Sequence, residues 1–187
     1  MDKSRYLYNL LNELGAISYG SFVGKSGEKY EVETDIRRAI QTYGEAFRVS
    51  EEIYKTIIAK LGYFYPVIGV PETGTFLSFF INSIHYQTSK QDFYSNMLRA
   101  VPKEYQLATD SVYTVLPLKN EQEYILIEDD VVTGNTLLRC LKNAITNKVK
   151  VRAVVVVFGR KSAFPVIDYC KQNSIAYCEL ISVDDIS

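Results

Sequence analysis

Two uninterrupted apolar runs, Ile125-Leu126-Ile127 and Val154 to Phe158, constrain this chain more than any other feature. A strand with one wet face alternates apolar and polar residues, so a run without alternation has both faces covered. Each run leads into a helical pattern. YILIED precedes TGNTLLRCLKNAI, whose Leu137, Leu138, Leu141 and Ile145 fall at helical spacing, and VKVRAVVVVFG precedes AFPVIDYCKQN. The same alternation begins at YPVIGV, passes through PETG into TFLSFFINSI, and ends with IAYCELISV. DFYSNMLRA and VYTVLPL read as shorter strands between them. Strands joined by helices pair in parallel through crossover connections. The expected fold is α/β: a central, mostly parallel sheet flanked by helices.

The N-terminal part has another texture. Tyr6, Leu7, Leu10, Leu11 and Leu14 form a helical stripe that Gly15 closes. AISYGSFVGKSGEKYEVETDIRR mixes glycine turns with short alternating runs and reads as a small hood. Ser50 stands before EEIYKTIIAKLG and is the expected cap of a helix ending at Gly62, with two glutamates in its first turn. The 187 residues suit one domain, with residues 1–45 as helix and hood and 46–187 as core.

Composition excludes some classes. Hydrophobic residues make up 47% and charged residues 23%, which supports a sizeable core. The formal net charge of -1 gives no general attraction to nucleic acid. No stretch approaches the ~18 uncharged apolar residues of a membrane span. MDKSRYLYNLLNELG lacks the pattern of a signal peptide. Cys140, Cys170 and Cys178 match no zinc spacing and read as reduced thiols of a cytoplasmic protein. His85, the only histidine, reads as structural.

The candidate chemistry lies at the end of YILIE. Asp129 and Asp130 follow the strand, at the edge where open α/β sheets bind ligands. Adjacent carboxylates are costly unless donors or a cation meet them. The vicinal hydroxyls of a ribose, or a nearby Mg2+, would do so. Val131, Val132, Thr133, Gly134, Asn135 and Thr136 then lead into a helix. Free N–H groups and a positive dipole end at a helix start suit a phosphate. Gly134 removes bulk, Asn135 tolerates left-handed backbone angles, and the threonines add hydroxyls. Strand–Asp-Asp–turn–helix also occurs as ordinary capping chemistry. The unbroken order of apolar strand, two aspartates and Thr-Gly-x-Thr is more specific than that.

YILIEDDVVTGNT resembles the phosphoribosyl diphosphate motif of the type I phosphoribosyltransferases. The resemblance implies that Asp129 and Asp130 contact ribose hydroxyls and that residues 133–136 hold the 5′-phosphate. It extends to the orotate branch of that family over nearly the whole chain. Phe22 to Gly27 is similar to an N-terminal segment whose lysine, here Lys25, reaches the active site. Pro71, Glu72, Thr73 and Gly74 are similar to the diphosphate loop. RAVPKEYQLATDS is similar to the catalytic loop that closes over a neighbouring subunit, with Arg99 and Lys103 on its basic positions. VVVVFGRKSA is similar to the strand end whose arginine, here Arg160, recognises the orotate carboxylate. The resemblance implies a Mg2+-dependent homodimer acting on phosphoribosyl diphosphate and orotate.

This chain departs from that pattern at several positions. Ala100 stands where the family usually has lysine, Tyr105 where it has histidine, and Asn135 where it commonly has glycine. Many members carry a basic residue at or beside Thr73, and YEV follows Glu28-Lys29 where a Ser-Pro-Tyr-like run is usual. Three readings stay open: an orotate enzyme, a phosphoribosyltransferase for another base, and a regulatory protein that binds phosphoribosyl compounds without turnover. A response-regulator-like fold is a structural rival that leaves Thr-Gly-Asn-Thr and the hood unexplained.

Overall fold

The computed structural model describes residues 3–23, 29–93, 96–98 and 122–186. Helix α1 (Lys3–Glu13) precedes an antiparallel hairpin of β1 (Ile17–Val23) and β2 (Lys29–Thr34), which is the expected hood. A 3-10 turn (Ile36–Ala39) leads to α2 (Tyr43–Leu61). The core then alternates: β3 (Val67–Gly69), α3 (Thr73–Ser89), β4 (Asn96–Met97), β5 (Glu123–Asp130), α4 (Asn135–Thr146), β6 (Lys150–Gly159), α5 (Phe164–Gln172), β7 (Ala176–Ser182). β4 falls within DFYSNMLRA, of which residues 94, 95, 99 and 100 lie outside the described residues, as does VYTVLPL.

The core sheet has the order β4-β3-β5-β6-β7, and every described pairing in it is parallel. The alternation along β5 explains its sequence. Ile125 and Ile127 join a core with α1, α2, α3 and the hood, while Tyr124 and Leu126 join a second core with α4 and α5. Both faces are covered, as the unbroken apolar runs require. The chain leaves β3 toward β4 in one direction, and from β5 runs through β6 to β7 in the other. The switch point therefore falls between the C-terminal ends of β3 and β5, where such sheets leave a crevice.

Helix α2 begins earlier than expected, and Ser50 does not cap it. Thr42 caps it instead, in a reciprocal box: Glu45 N–H donates to Thr42 Oγ1 at 3.2 Å and Thr42 N–H to Glu45 Oε2 at 3.0 Å. A Thr-x-x-Glu box satisfies two helix-end donors at once, and the buried stripe already starts at Ala46 and Val49. Ser50 lies inside the helix, buried, with no hydrogen-bond partner for its hydroxyl. Gly62 ends the helix in the left-handed conformation.

Asn82 on α3 clamps β3 at its start. Its side chain accepts from Val67 N–H and donates to Val67 C=O, each at 2.9 Å. His85 stacks on Phe64 at 4.2 Å between ring centroids, and its Nδ1 is 3.1 Å from the Tyr54 hydroxyl. Burial lowers its pKa, in keeping with a structural role. The cysteines are free thiols, with Cys140 and Cys170 buried. No helix among the described residues is long and apolar enough to cross a membrane.

Candidate active site

Two turns flank the switch point. The first, Pro71 to Gly74, joins β3 to α3, and no side chain caps the helix it starts. Its N–H groups are thus without the usual side-chain acceptor. The turn is pressed onto the sheet. A Cβ built on Gly74 would stand 2.5 Å from Ile127 C=O, a backbone atom of β5, so only glycine fits there.

The second turn follows β5. Val131 is buried, while Val132 and Thr133 are exposed. Gly134 precedes α4 with φ +75°, the left-handed region that favours glycine, and a Cβ on it would meet Val166 Cγ1 at 3.0 Å. Asn135 is the first residue of α4, so the left-handed position expected of it belongs to Gly134. No side chain caps α4. A cavity of about 210 Å³ opens at this helix start, lined by Glu128 and by residues 130–137. Ser162 Oγ donates to Val132 C=O and steadies the turn. Uncapped N–H groups, the dipole end and the hydroxyls of Thr133 and Thr136 are the kind of donor set that an anion would take.

The acidic strand end does not present a simple side-by-side pair. Successive strand residues point to opposite faces. Glu128 and Asp130 both line the cavity, and Asp129 does not. Burial and the neighbouring Asp129 push the Glu128 carboxyl up to about 9, so it carries a proton at neutral pH. Asp129 lies near Arg37, whose charge is favoured first by its hydrogen bonds to Asp35 and then, more weakly, by Asp129 and Glu72. Arg37 is exposed and holds Asp35 with Nε 2.7 Å and Nη2 3.0 Å from its carboxylate oxygens. Its charge is felt weakly at Glu72 and Asp129.

Asp130 meets the hood. Thr34 Oγ1 of β2 donates to Asp130 Oδ2 at 2.5 Å and accepts from Arg160 Nη2 at 3.2 Å. Arg160 Nη2 also reaches Val32 C=O at 3.4 Å, and its guanidinium lies 5.7 Å from the centroid of the Tyr30 ring. Arg160 Nε stands 3.8 Å from Asp130 Oδ1. Burial raises the Asp130 pKa, against the hydrogen bond from Thr34 and the charge of Arg160.

The structure thus places Glu72, Thr73 and Gly74 after β3, Asp129, Asp130 and the 131–136 turn at the end of the neighbouring β5, and Arg160 after β6, beside Asp130. Lys25, Arg99 and Lys103 lie outside the described residues, as do Ala100 and Tyr105. Sequence reasoning missed Thr34, Arg37 and the buried Glu128. The run EDD contained the signal for Glu128, but Thr34 reaches Asp130 across 96 positions of chain. Among the described residues no three carboxylate, thiol or imidazole side chains converge as a metal cage. Carboxylate oxygens are the donor type that Mg2+ takes, and a Mg2+ ion here would share its shell with substrate oxygens, as its preference for few protein ligands allows.

No protein-family model and no curated protein sequence matches the chain. Solved structures match it in fold. The orotate phosphoribosyltransferase of Francisella tularensis superposes with a TM-score of 0.74 at 17% identity, over 97% of this chain and 87% of that one. The Mycobacterium tuberculosis orotate phosphoribosyltransferase in complex with 5-phospho-α-D-ribosyl 1-diphosphate gives 0.68 at 17% identity, over 99% and 98%. An adenine phosphoribosyltransferase from Leishmania donovani gives 0.61 at 18% identity, over 98% and 83%. At such identities the likeness is one of architecture, and that architecture is the type I phosphoribosyltransferase fold.

Proposed function

We propose that the protein is a Mg2+-dependent phosphoribosyltransferase. It transfers the 5-phosphoribosyl group of phosphoribosyl diphosphate to a nucleobase, with orotate as the first candidate, giving orotidine 5′-phosphate and diphosphate. One observation carries the reading: an uncapped helix start, entered through left-handed Gly134, opens a phosphate-sized cavity at the end of an acidic strand.

In this reading the turn N–H groups, Thr133 and Thr136 hold the 5′-phosphate. Asp129 and Asp130 accept from the ribose hydroxyls. The Glu72–Thr73–Gly74 turn offers N–H groups to the diphosphate, with Arg37 nearby in place of a basic residue at Thr73. Arg160 faces the base. In the reaction the C1′–O bond to diphosphate breaks and its electron pair leaves with the diphosphate, while a ring nitrogen, its N–H proton released to solvent, forms the new bond to C1′. Cations near the leaving oxygens stabilise the charge that builds there. Arg37 serves that role from the described residues, and Lys25, Arg99 and Lys103 are proposed to add to it. Mg2+, when bound, neutralises diphosphate oxygens. The proposal extends to a cytoplasmic homodimer in which Arg99 and Lys103 serve the partner's site.

Product analysis with orotate, phosphoribosyl diphosphate and Mg2+ tests the reading. Formation of orotidine 5′-phosphate with equimolar diphosphate is expected. Substrates left unconsumed with every base tried would contradict it. A second reading, transfer to a base other than orotate, is favoured by the carboxylate that already lies beside Arg160.

A further inference from the structure

Glu128 is an acid that phosphoribosyl transfer as proposed does not use. It is only 7% exposed, yet its side chain lines the cavity at the start of α4 together with the turn that follows β5. Burying an acid next to the apolar run Ile125-Leu126-Ile127 costs free energy that an apolar side chain would not. The influences that act most on its charge are burial and the carboxylates of Asp129 and Asp130, and no cation is among them. The buried Cys140 thiol of α4 also lies near it. With such neighbours the carboxyl group keeps its proton.

A neutral carboxyl group is both donor and acceptor. Oε1 accepts from Asp129 N–H at 3.2 Å. The remaining O–H can donate to the Asp129 carboxylate beside it or to whatever fills the cavity. Ribose hydroxyls that donate to Asp129 compete with that O–H for the carboxylate, and the oxygens of a phosphate are then the acceptors at hand. An anion in the cavity disfavours ionisation of Glu128 further, so ligand and donor support each other. Thr133 and Thr136 are exposed and meet an anion from the solvent side, whereas Glu128 meets it from the buried strand end.

We propose that Glu128 is a phosphate-binding residue whose neutral carboxyl group, on the floor of the 128–137 cavity, donates a hydrogen bond to the 5′-phosphate. The inference rests on the phosphoribosyl reading for its ligand and adds a donor from the strand to those of the turn. If ionised, the same side chain would repel the phosphate, so the sign of its effect is open to measurement.

Ribose 5-phosphate, without Mg2+ or base, is the probe, because it carries the ribose and phosphate and undergoes no transfer. Calorimetric titration near neutral pH into the wild type, Glu128→Gln and Glu128→Met reads the affinity, with melting temperatures to show that each protein is folded. Glutamine keeps a donor in nearly the same shape, and methionine keeps the length without one. Glu128→Gln is expected to bind within about threefold of the wild type and Glu128→Met about tenfold or more weakly, the loss of a hydrogen bond to a charged group. A methionine variant that binds as well as the wild type, or a glutamine variant that binds about tenfold tighter, overturns the inference. The 31P resonance of the bound probe is a second readout that needs only Glu128→Gln. Exchanging an O–H donor for an N–H donor is expected to move it, and an unmoved resonance overturns the inference even if Glu128→Met does not fold. Equal binding by all three proteins sinks the inference and leaves phosphoribosyl transfer standing. Affinities as expected, with no base turned over, contradict transfer and leave the inference standing.

Discussion

Replacing Gly74 with alanine puts a methyl group 2.5 Å from the carbonyl oxygen of Ile127. That oxygen belongs to the backbone of β5, a strand bonded on both sides, so it cannot rotate away as a flexible side chain could. Overpacking of this kind costs about 1–3 kcal/mol, and a backbone neighbour places it at the upper end. Alanine returns at most about 1 kcal/mol through helix propensity. The net loss of about 2 kcal/mol corresponds to a fall in melting temperature of about 4–8 °C for a chain of this size. Gly44 is the control. It sits in the first turn of α2 with nothing within 4 Å of a built Cβ. Gly44→Ala is therefore expected to leave the melting temperature unchanged or raise it slightly. Thermal unfolding followed by circular dichroism measures both variants side by side. If Gly74→Ala melts with the wild type, the Pro71–Gly74 turn is not pressed on β5 and the geometry of the diphosphate side is wrong.

Other substitutions probe other parts of the account. Thr42→Ala removes the capping box and should cost about 1 kcal/mol in urea unfolding, whereas Ser50→Ala, which deletes a buried hydroxyl without a partner, should be neutral or stabilising. Glu128 has its folded pKa raised from 4.5 to about 9, so its contribution to stability is complete below about 4.5 and is lost as pH rises toward 9. Melting temperatures recorded from pH 5 to 9 should therefore fall less steeply for Glu128→Gln than for the wild type, and parallel curves would show that Glu128 is charged when folded. Burial pushes the Cys140 thiol up to about 11 and that of Cys170 up to about 12, so both should resist iodoacetamide at pH 8 until the protein unfolds.

Elements that announce themselves through local chemistry were legible in the sequence. The continuous apolar residues of β5 and β6 gave a sheet buried on both faces, and the strand–helix alternation gave its parallel pairing. The strand end, turn and helix start from Asp129 to Thr136 were legible because their parts are contiguous. Their details were less so. Asparagine and glycine both tolerate left-handed angles, and only the helix boundary shows that Gly134 takes that position. The start of α2 was misplaced because Ser50 followed by two glutamates imitates a cap, while the effective Thr42–Glu45 box lies eight residues earlier. Contacts across the hood were out of reach. Thr34 meets Asp130 and Arg160 only because the β1–β2 hairpin folds over the end of β5 and β6, and no local pattern encodes that meeting. Arg37 is brought toward Asp129 and Glu72 in the same way.

The central claim is that the strand end and turn from Asp129 to Thr136 hold a phosphoribosyl group. Calorimetric titration of phosphoribosyl diphosphate into the wild type and into Thr133→Ala/Thr136→Ala, with Mg2+ and no base, tests it most directly. The account predicts saturable one-site binding to the wild type. It predicts affinity weakened about tenfold or more in the double variant, at an unchanged melting temperature, through the loss of two hydrogen bonds to a charged group. Wild-type protein that binds no phosphoribosyl diphosphate, or a double variant that binds it equally well, would contradict it.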